Sequence, residues 1–235
     1  MSKIALYSHD ISPPCRTVLM VAKEIGLNLQ IRELRLDKGE HMSEKYLKIN
    51  PLHTIPLLDD DGFLLMDSHT IACYLIDKYA KDDSLYPKDV QKRALVNQYL
   101  MFEAATMFPP VKRAMVSDSL FAYTPRRGMD ALREMYSQFN KLLEGKKWLV
   151  GDSYTVADIS CVTIATSVSI LMDMDLYPNI KAWMKRCEQE ISSYNECNAP
   201  GLKKFLTFLE SKLECWDSYN YTSSHFLVSL DLKYA

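Results

Sequence analysis

The stretch Tyr7-Ser-His-Asp-Ile-Ser12-Pro-Pro-Cys15-Arg-Thr-Val-Leu-Met20 joins two patterns of different period, and its reading decides the first half of the fold. Ahead of it, Ile4-Ala-Leu-Tyr7 is a short apolar run that reads as a buried strand. Beyond it, Thr17 to Ile25 carries apolar residues at helical spacing. The turn lies between them. Ser12 stands where a hydroxyl can cap the incoming helix, and Pro13 and Pro14 suit first-turn positions whose N–H groups have no intrahelical partner. A helix N-terminus favours an anion, so a thiolate or carboxylate held at Ser12 is stabilised there. By itself a Ser-Pro-Pro start says only that a helix begins.

The downstream segments supply the rest of a small sheet. Leu27, Leu29 and Ile31 alternate with polar residues, and Leu34 and Leu36 resume one position out of phase, which reads as a bulged strand near a sheet edge. Ser43 to Ile49 reads as a short helix ending before Asn50-Pro51. Ile55-Pro-Leu-Leu58, Asp59-Asp-Asp-Gly62 and Phe63-Leu-Leu-Met66 then form strand, tight turn and strand. A proline inside a strand pattern needs an edge or a special backbone conformation, and a cis Ile55–Pro56 bond provides one. Ser68 to Tyr79 is a strong amphipathic helix with Ser68 as its expected cap. Strand, helix, strand, short helix, hairpin and helix make a compact mixed-sheet α/β unit. The spacing Ser12-Pro-Pro-Cys15 matches the Cys-x-x-Cys turn of thioredoxin-like proteins with a hydroxyl in place of the first thiol, keeping the anion-binding geometry without the dithiol.

After a polar linker the chain changes class. Residues 83–89 separate an expected domain 1–82 from a region 90–215 in which every strong pattern is helical, followed by a tail, 216–235, without sustained period. Val90 to Met107 reads as one long helix that kinks or breaks at Pro109-Pro110. Pro125 opens another running towards Leu143. Thr155 and Asp158 stand at capping-box spacing ahead of Ile159 to Leu171, a helix apolar on most faces and therefore expected at the centre of an all-helical domain. Further helices start at Pro178 and at Leu202.

Composition narrows the function classes. The chain has 235 residues, 48% of them hydrophobic and 25% charged, with a formal net charge of −2. No global field draws in nucleic acid or an anionic membrane. No signal-like or spanning apolar run occurs, which gives the expectation of a cytoplasmic protein. The six cysteines are scattered, with no Cys-x-x-Cys pair and no histidines at metal spacing, so no metal is expected.

In order along residues 3 to 213, Ser12-Pro-Pro-Cys-Arg16, His53-Thr-Ile-Pro56, Asp67-Ser-His69 and Thr155-Val-Ala-Asp158 together resemble the cytosolic glutathione S-transferases. Ser-Pro-Pro-Cys-Arg, Asp-Ser-His and Asn198-Ala-Pro-Gly201 are most similar to the insect delta/epsilon group, epsilon in particular. The resemblance implies a thioredoxin-like N-terminal domain followed by an all-α C-terminal domain, with glutathione as co-substrate. Ser12 would donate its hydroxyl to the glutathione sulfur and stabilise the thiolate. Ile55, beside Pro56 and Thr54, would pair its main chain with the cysteinyl part of the tripeptide. Asp67 and Ser68, with the neighbouring His69, would hold the γ-glutamyl end. The family more often carries Glu where this chain has Asp67, which keeps the charge on a shorter side chain. His41 and His53 would lie near the glycyl carboxylate, and Lys112 or Arg113 would be a basic residue near the ligand.

The hydrophobic electrophile would lie against Ile11, Pro14, Phe108, Val111, Lys112, Met115, Phe121 and Leu206, surfaces that supply burial without a fixed polar code. The resemblance further implies detoxification chemistry, possible peroxidase activity and a homodimer. The alternative is a carrier of hydrophobic ligands such as steroids with little turnover. Retention of Ser12, Pro56, Asp67 and Ser68 together argues for the enzyme, because a carrier needs no thiolate site. A thiol transferase acting through Cys15 ranks last, since Cys15 lies inside the helix where its role is packing.

Overall fold

The computed structural model describes residues 4–116 and 125–219, apart from the side chains of Asp37 and of residues 113–116, 125–128 and 212–219. Four strands, β1 (Ile4–Ser8), β2 (Gln30–Glu33), β3 (Leu57–Asp60) and β4 (Phe63–Met66), form one sheet in the order β2-β1-β3-β4. The β1–β2 pair is parallel, and β1–β3 and β3–β4 are antiparallel. A parallel pair needs a crossover, and α1 (Pro13–Glu24) provides it. The β3–β4 hairpin turns on Asp61 and Gly62, both at positive φ (53° and 89°), the conformation that matches the twist of the flanking strands.

Helices α1 and α3 (Ser68–Tyr79) cover one face of the sheet, packing Val18, Ile71 and Leu75 onto Ile4, Leu6 and Leu58. The other face carries a smaller cluster, Leu34, Tyr46 and Leu57, beneath the one-turn helix α2 (Glu44–Leu47). Ser43 caps α2 by accepting from the Tyr46 N–H, as its position predicts. The cap of α3 differs from expectation. Asp67, not Ser68, closes that helix: at φ 73° its carboxylate swings back over the first turn and accepts from the His69 and Thr70 N–H groups.

The second half is helical: α4 (Val90–Phe102), α5 (Phe108–Val116), α6 (Pro125–Leu142), α7 (Val156–Val168), α8 (Pro178–Glu190) and α9 (Ala199–Tyr219). The expected break near Pro109-Pro110 takes the form of a π-helical segment, Glu103–Met107, joining α4 to α5. Neither proline has an N–H to give to the preceding turn, and the wider winding carries the chain past that gap. Every residue of α7 is buried, and the Thr155–Asp158 capping box closes its start, which lies three residues before the Ile159 expected from apolar pattern alone. Pro200 and Gly201, expected ahead of the last helix, lie within its first turn. The largest apolar cluster runs from Met20, Val21, Ala72 and Ile76 of the first half through α4 to α8, so the two halves share a core.

Candidate active site

Strand register decides where the expected site residues meet. Ser8, the last residue of β1, pairs with Glu33, the last of β2. Tyr7 pairs with Leu57, the first of β3, and Leu57 pairs with Met66, the last of β4. The segments His9–Ser12, Leu34–His41, Ile55-Pro56 and Asp67-Ser68 therefore leave the sheet at one end. That end is the carboxyl end of the parallel pair, where open α/β sheets form their ligand crevice.

Ser12 occupies the N-cap position of α1 with extended backbone (φ −78°, ψ 119°), yet its hydroxyl makes no capping hydrogen bond. The following prolines explain this, because Pro13 and Pro14 remove the first donors a cap would reach. The Ser12 main chain is nevertheless fixed: its N–H donates to the His9 carbonyl at 3.0 Å and its C=O accepts from the Arg16 N–H at 3.1 Å. Within the same turn, the Ile11 N–H donates to Nδ1 of His9 at 3.3 Å. Ile11 and Pro14 flank Ser12 and are half-buried. The result is a buried hydroxyl on a fixed main chain at a helix start, free of the cap, with the Cys15 thiol as its side-chain neighbour. Cys15 is fully buried, and burial pushes its thiol pKa up, away from thiolate reactivity. Tyr7 packs its ring against Tyr46 and accepts from Arg32 at 2.6 Å, as a strand residue would.

The Ile55–Pro56 bond is cis. Ile55 N–H and C=O enter none of the turn, loop or cap hydrogen bonds of the described residues. The preceding loop is held by two residues that sequence reasoning missed: Tyr46 Oη donates to the Thr54 carbonyl at 2.6 Å, and Asn50 Nδ2 donates to it at 2.7 Å. Exposed His53 sits at φ 46°, and its ring centroid lies 6.4 Å from that of His41, whose buried Nδ1 has no partner among the described residues. Asp67 uses Oδ1 for the cap of α3, and Ser68 beside it is buried at the helix start.

His69 faces elsewhere. Its Nε2 lies 2.8 Å from Glu103 Oε2 and 2.9 Å from Ser160 Oγ, so the ring is buried at the seam between the halves and unavailable to a ligand at the sheet end. Burial pushes the imidazolium pKa down, but the hydrogen bond and charge of Glu103 outweigh it and leave His69 raised. Of the expected hydrophobic residues, Phe108 and Leu206 are half-buried and Lys112 is exposed. Val111 is fully buried inside the helical core and offers no surface. Arg113 and Met115 lie on α5, but their side chains, like the whole of Phe121, fall outside the described residues.

Other residues missed from sequence bind the halves together. Arg16, fully buried, donates through Nη2 to the Thr163 carbonyl and to Ser167 Oγ, and Thr17 Oγ1 meets Thr163 Oγ1 at 2.9 Å. A polar residue in a helix flanked by apolar ones is the signal that could have flagged Arg16. A cleft of about 460 Å³ opens at the far ends of α1 and α3, lined by Lys23 to Gly26, Lys81, Asp82 and Tyr154. It lies away from Ser12; Lys23 pairs with Glu196 outside the cleft, and Glu24 accepts from the Tyr154 hydroxyl.

Comparison with known proteins identifies the family and the fold. Residues 6–83 match the family model described as glutathione S-transferase, N-terminal domain, and residues 104–190 match glutathione S-transferase, C-terminal domain. The chain is 40% identical over 216 residues to glutathione S-transferase 1 of Manduca sexta, covering 89% of this chain and 99% of that protein. An epsilon-class glutathione S-transferase of the housefly, Musca domestica, superposes with a TM-score of 0.83 at 39% identity, covering 89% of this chain and 98% of that one. A Drosophila mojavensis homologue solved with bound glutathione has a TM-score of 0.83 at 36% identity, covering 90% and 98%.

Proposed function

The chain belongs to the glutathione S-transferase family, and on that premise we propose that it conjugates glutathione to hydrophobic electrophiles with Ser12 as the thiolate-stabilising group. It is an enzyme of the transferase class, with epsilon- and delta-class structural neighbours. The observation that carries the Ser12 reading is the convergence at one sheet end of a hydroxyl free of capping duty on a fixed main chain, an Ile55 main chain outside the turn, loop and cap hydrogen bonds of the described residues, and the acidic start of α3.

The division of labour follows from the chemistry of each group. The Ile55 main chain pairs with the cysteinyl peptide like one added strand residue. Ser68 and the start of α3 take the γ-glutamyl carboxylate, and Asp67 takes its ammonium. His41 and His53 stand together for the glycyl carboxylate, with Thr54 beside them. The cysteinyl thiol then lies at Ser12. Its proton leaves to solvent, the Ser12 O–H donates to the sulfur, and the thiolate attacks carbon as the leaving group departs. Lowering the thiol's titration midpoint by about two pH units corresponds to roughly 2.7 kcal/mol of thiolate stabilisation. Ile11, Pro14, Phe108 and Leu206 line the electrophile's side, a surface suited to apolar acceptors, including hydroperoxides. Residues 1–82 hold glutathione and 90–215 complete the electrophile site, joined by the linker 83–89.

Exposed apolar residues Val90, Leu95 and Met101 on α4, with Phe63 on β4, support a homodimer. No described helix is long and apolar enough to cross a membrane. Nothing at the site favours a carrier without turnover. The test compares chlorodinitrobenzene conjugation by wild type and Ser12→Ala, both shown to bind glutathione. Turnover should fall about tenfold or more. Equal rates would remove Ser12 from the mechanism.

A further inference from the structure

We propose that Gly201 and Lys204 of α9 are positioning residues for Ser12, clamping the His9–Ser12 turn from the helical half; this rests on the reading of Ser12 as the thiolate donor. Gly201 shows no left-handed backbone, so its identity answers to space. A Cβ built there would lie 2.1 Å from the Asp10 carbonyl oxygen, 2.8 Å from the carbonyl carbon and 3.0 Å from Arg16 Cδ. The Asp10–Ile11 peptide thus rests on the bare Cα of Gly201. One turn along α9, Lys204 Nζ reaches Asp10 Oδ2 at 2.6 Å.

The turn is held at both ends. On its C-terminal side, Arg16 and Thr17 tie α1 to Thr163 and Ser167 of α7. On its N-terminal side, β1 fixes Ser8 in the sheet. Between these anchors the turn has two internal hydrogen bonds, Ser12 N–H to the His9 carbonyl and Ile11 N–H to His9 Nδ1. The plane of the Asp10–Ile11 peptide, two residues ahead of the Ser12 hydroxyl, is set from outside by α9. Comfortable contact needs roughly 3.5 Å, so a methyl group at 201, 2.1 Å from the Asp10 carbonyl oxygen, would drive that carbonyl back by about 1.4 Å. Rotation of that peptide withdraws the Ile11 N–H from His9 and carries the Ser12 hydroxyl with it. A displacement of this size is enough to weaken a positioned catalytic hydrogen bond severely.

The experiment follows the ultraviolet absorbance of enzyme-bound glutathione thiolate against pH. It uses the full-length wild type, Ser12→Ala, Gly201→Ala, the double variant and Lys204→Met, with folding checked by circular dichroism. Ser12→Ala should raise the thiol's titration midpoint, and Gly201→Ala should raise it by about one pH unit, a tenfold loss of thiolate in the acid limb. In the Ser12→Ala background, Gly201→Ala should shift the midpoint no further, because the clamp acts through the hydroxyl. The same extra shift in both backgrounds, or none in either, overturns the clamp while leaving Ser12 in place. No shift from Ser12→Ala overturns the Ser12 reading first and the clamp with it. If Gly201→Ala does not fold, exposed Lys204→Met decides: a smaller upward shift supports the clamp, and an unchanged midpoint overturns it.

Discussion

Replacing Asp158 by Ala tests how the helical half holds the frame behind the site. The carboxylate is fully buried at the start of α7. Its Oδ1 accepts from the Leu149 N–H at 3.0 Å and the Trp183 Nε1–H at 2.9 Å, and its Oδ2 accepts from the Thr155 N–H at 3.0 Å. Burial pushes the carboxyl pKa up, and these donors offset part of that cost. Alanine strands three buried donors. Each costs about 1 kcal/mol at the low end, where water enters the vacated space, and the Thr155 N–H among them is Asp158's half of the capping box. The sum is about 3 kcal/mol, a large share of a typical stability of roughly 5–15 kcal/mol. Asp158→Asn keeps the Oδ1 contacts but turns an amide N–H towards the Thr155 donor, so its loss should be about half. Urea unfolding followed by tryptophan fluorescence measures both, since Trp148 and Trp183 are buried in the same core. A loss below about 1 kcal/mol for the alanine variant would refute the reasoning, because it would mean that the carboxylate is not the hub joining the α7 cap, residue 149 and α8.

Two further outcomes follow from the seam and the turn. A histidine whose folded pKa is raised contributes stability that is full below its unfolded value of about 6.5 and is lost as pH rises through the folded pKa. Burial pushes the Glu103 carboxyl up, so the charged pair exists only between the Glu103 and His69 pKa values. Glu103→Gln should therefore cost most near neutral pH, on the order of 2–4 kcal/mol, and less at both extremes, in alkali as His69 loses its proton and in acid as Glu103 gains one; thermal melts at acid, neutral and alkaline pH check this, and a pH-independent difference would refute it. Cys15→Ser should keep glutathione conjugation within about threefold of wild type, since the buried thiol is poorly ionised. A tenfold or greater loss of conjugation in a folded, glutathione-binding variant would return Cys15 to the mechanism.

The sequence alone determined the elements whose cause lies within a few residues. Ser12-Pro-Pro starts α1, Asp61-Gly62 turns the hairpin, Ser43 caps α2, and Thr155 with Asp158 caps α7, each through steric or hydrogen-bonding constraints that act locally along the chain. The order of those elements, read with the motifs, was enough for the fold and the family. The backbone's detailed path was less legible. Asp67 displaced Ser68 as cap through a positive φ, and π winding replaced a simple kink, because both depend on how the chain is held by its neighbours.

Tertiary structure alone decided which way the side chains point. His69 stands one residue from Ser68 yet turns to Glu103 and Ser160, the latter 91 positions away. Val111 shares a helix with Phe108 but is spent on the core. Asp10 meets Lys204 across 194 positions, and the Asp10 carbonyl meets Gly201 beside it. Periodicity marks a face as apolar or polar without saying which partner covers it. Strand register and packing of α7 and α9 against α1 supply that partner, and with it the placement of the Ser12 hydroxyl.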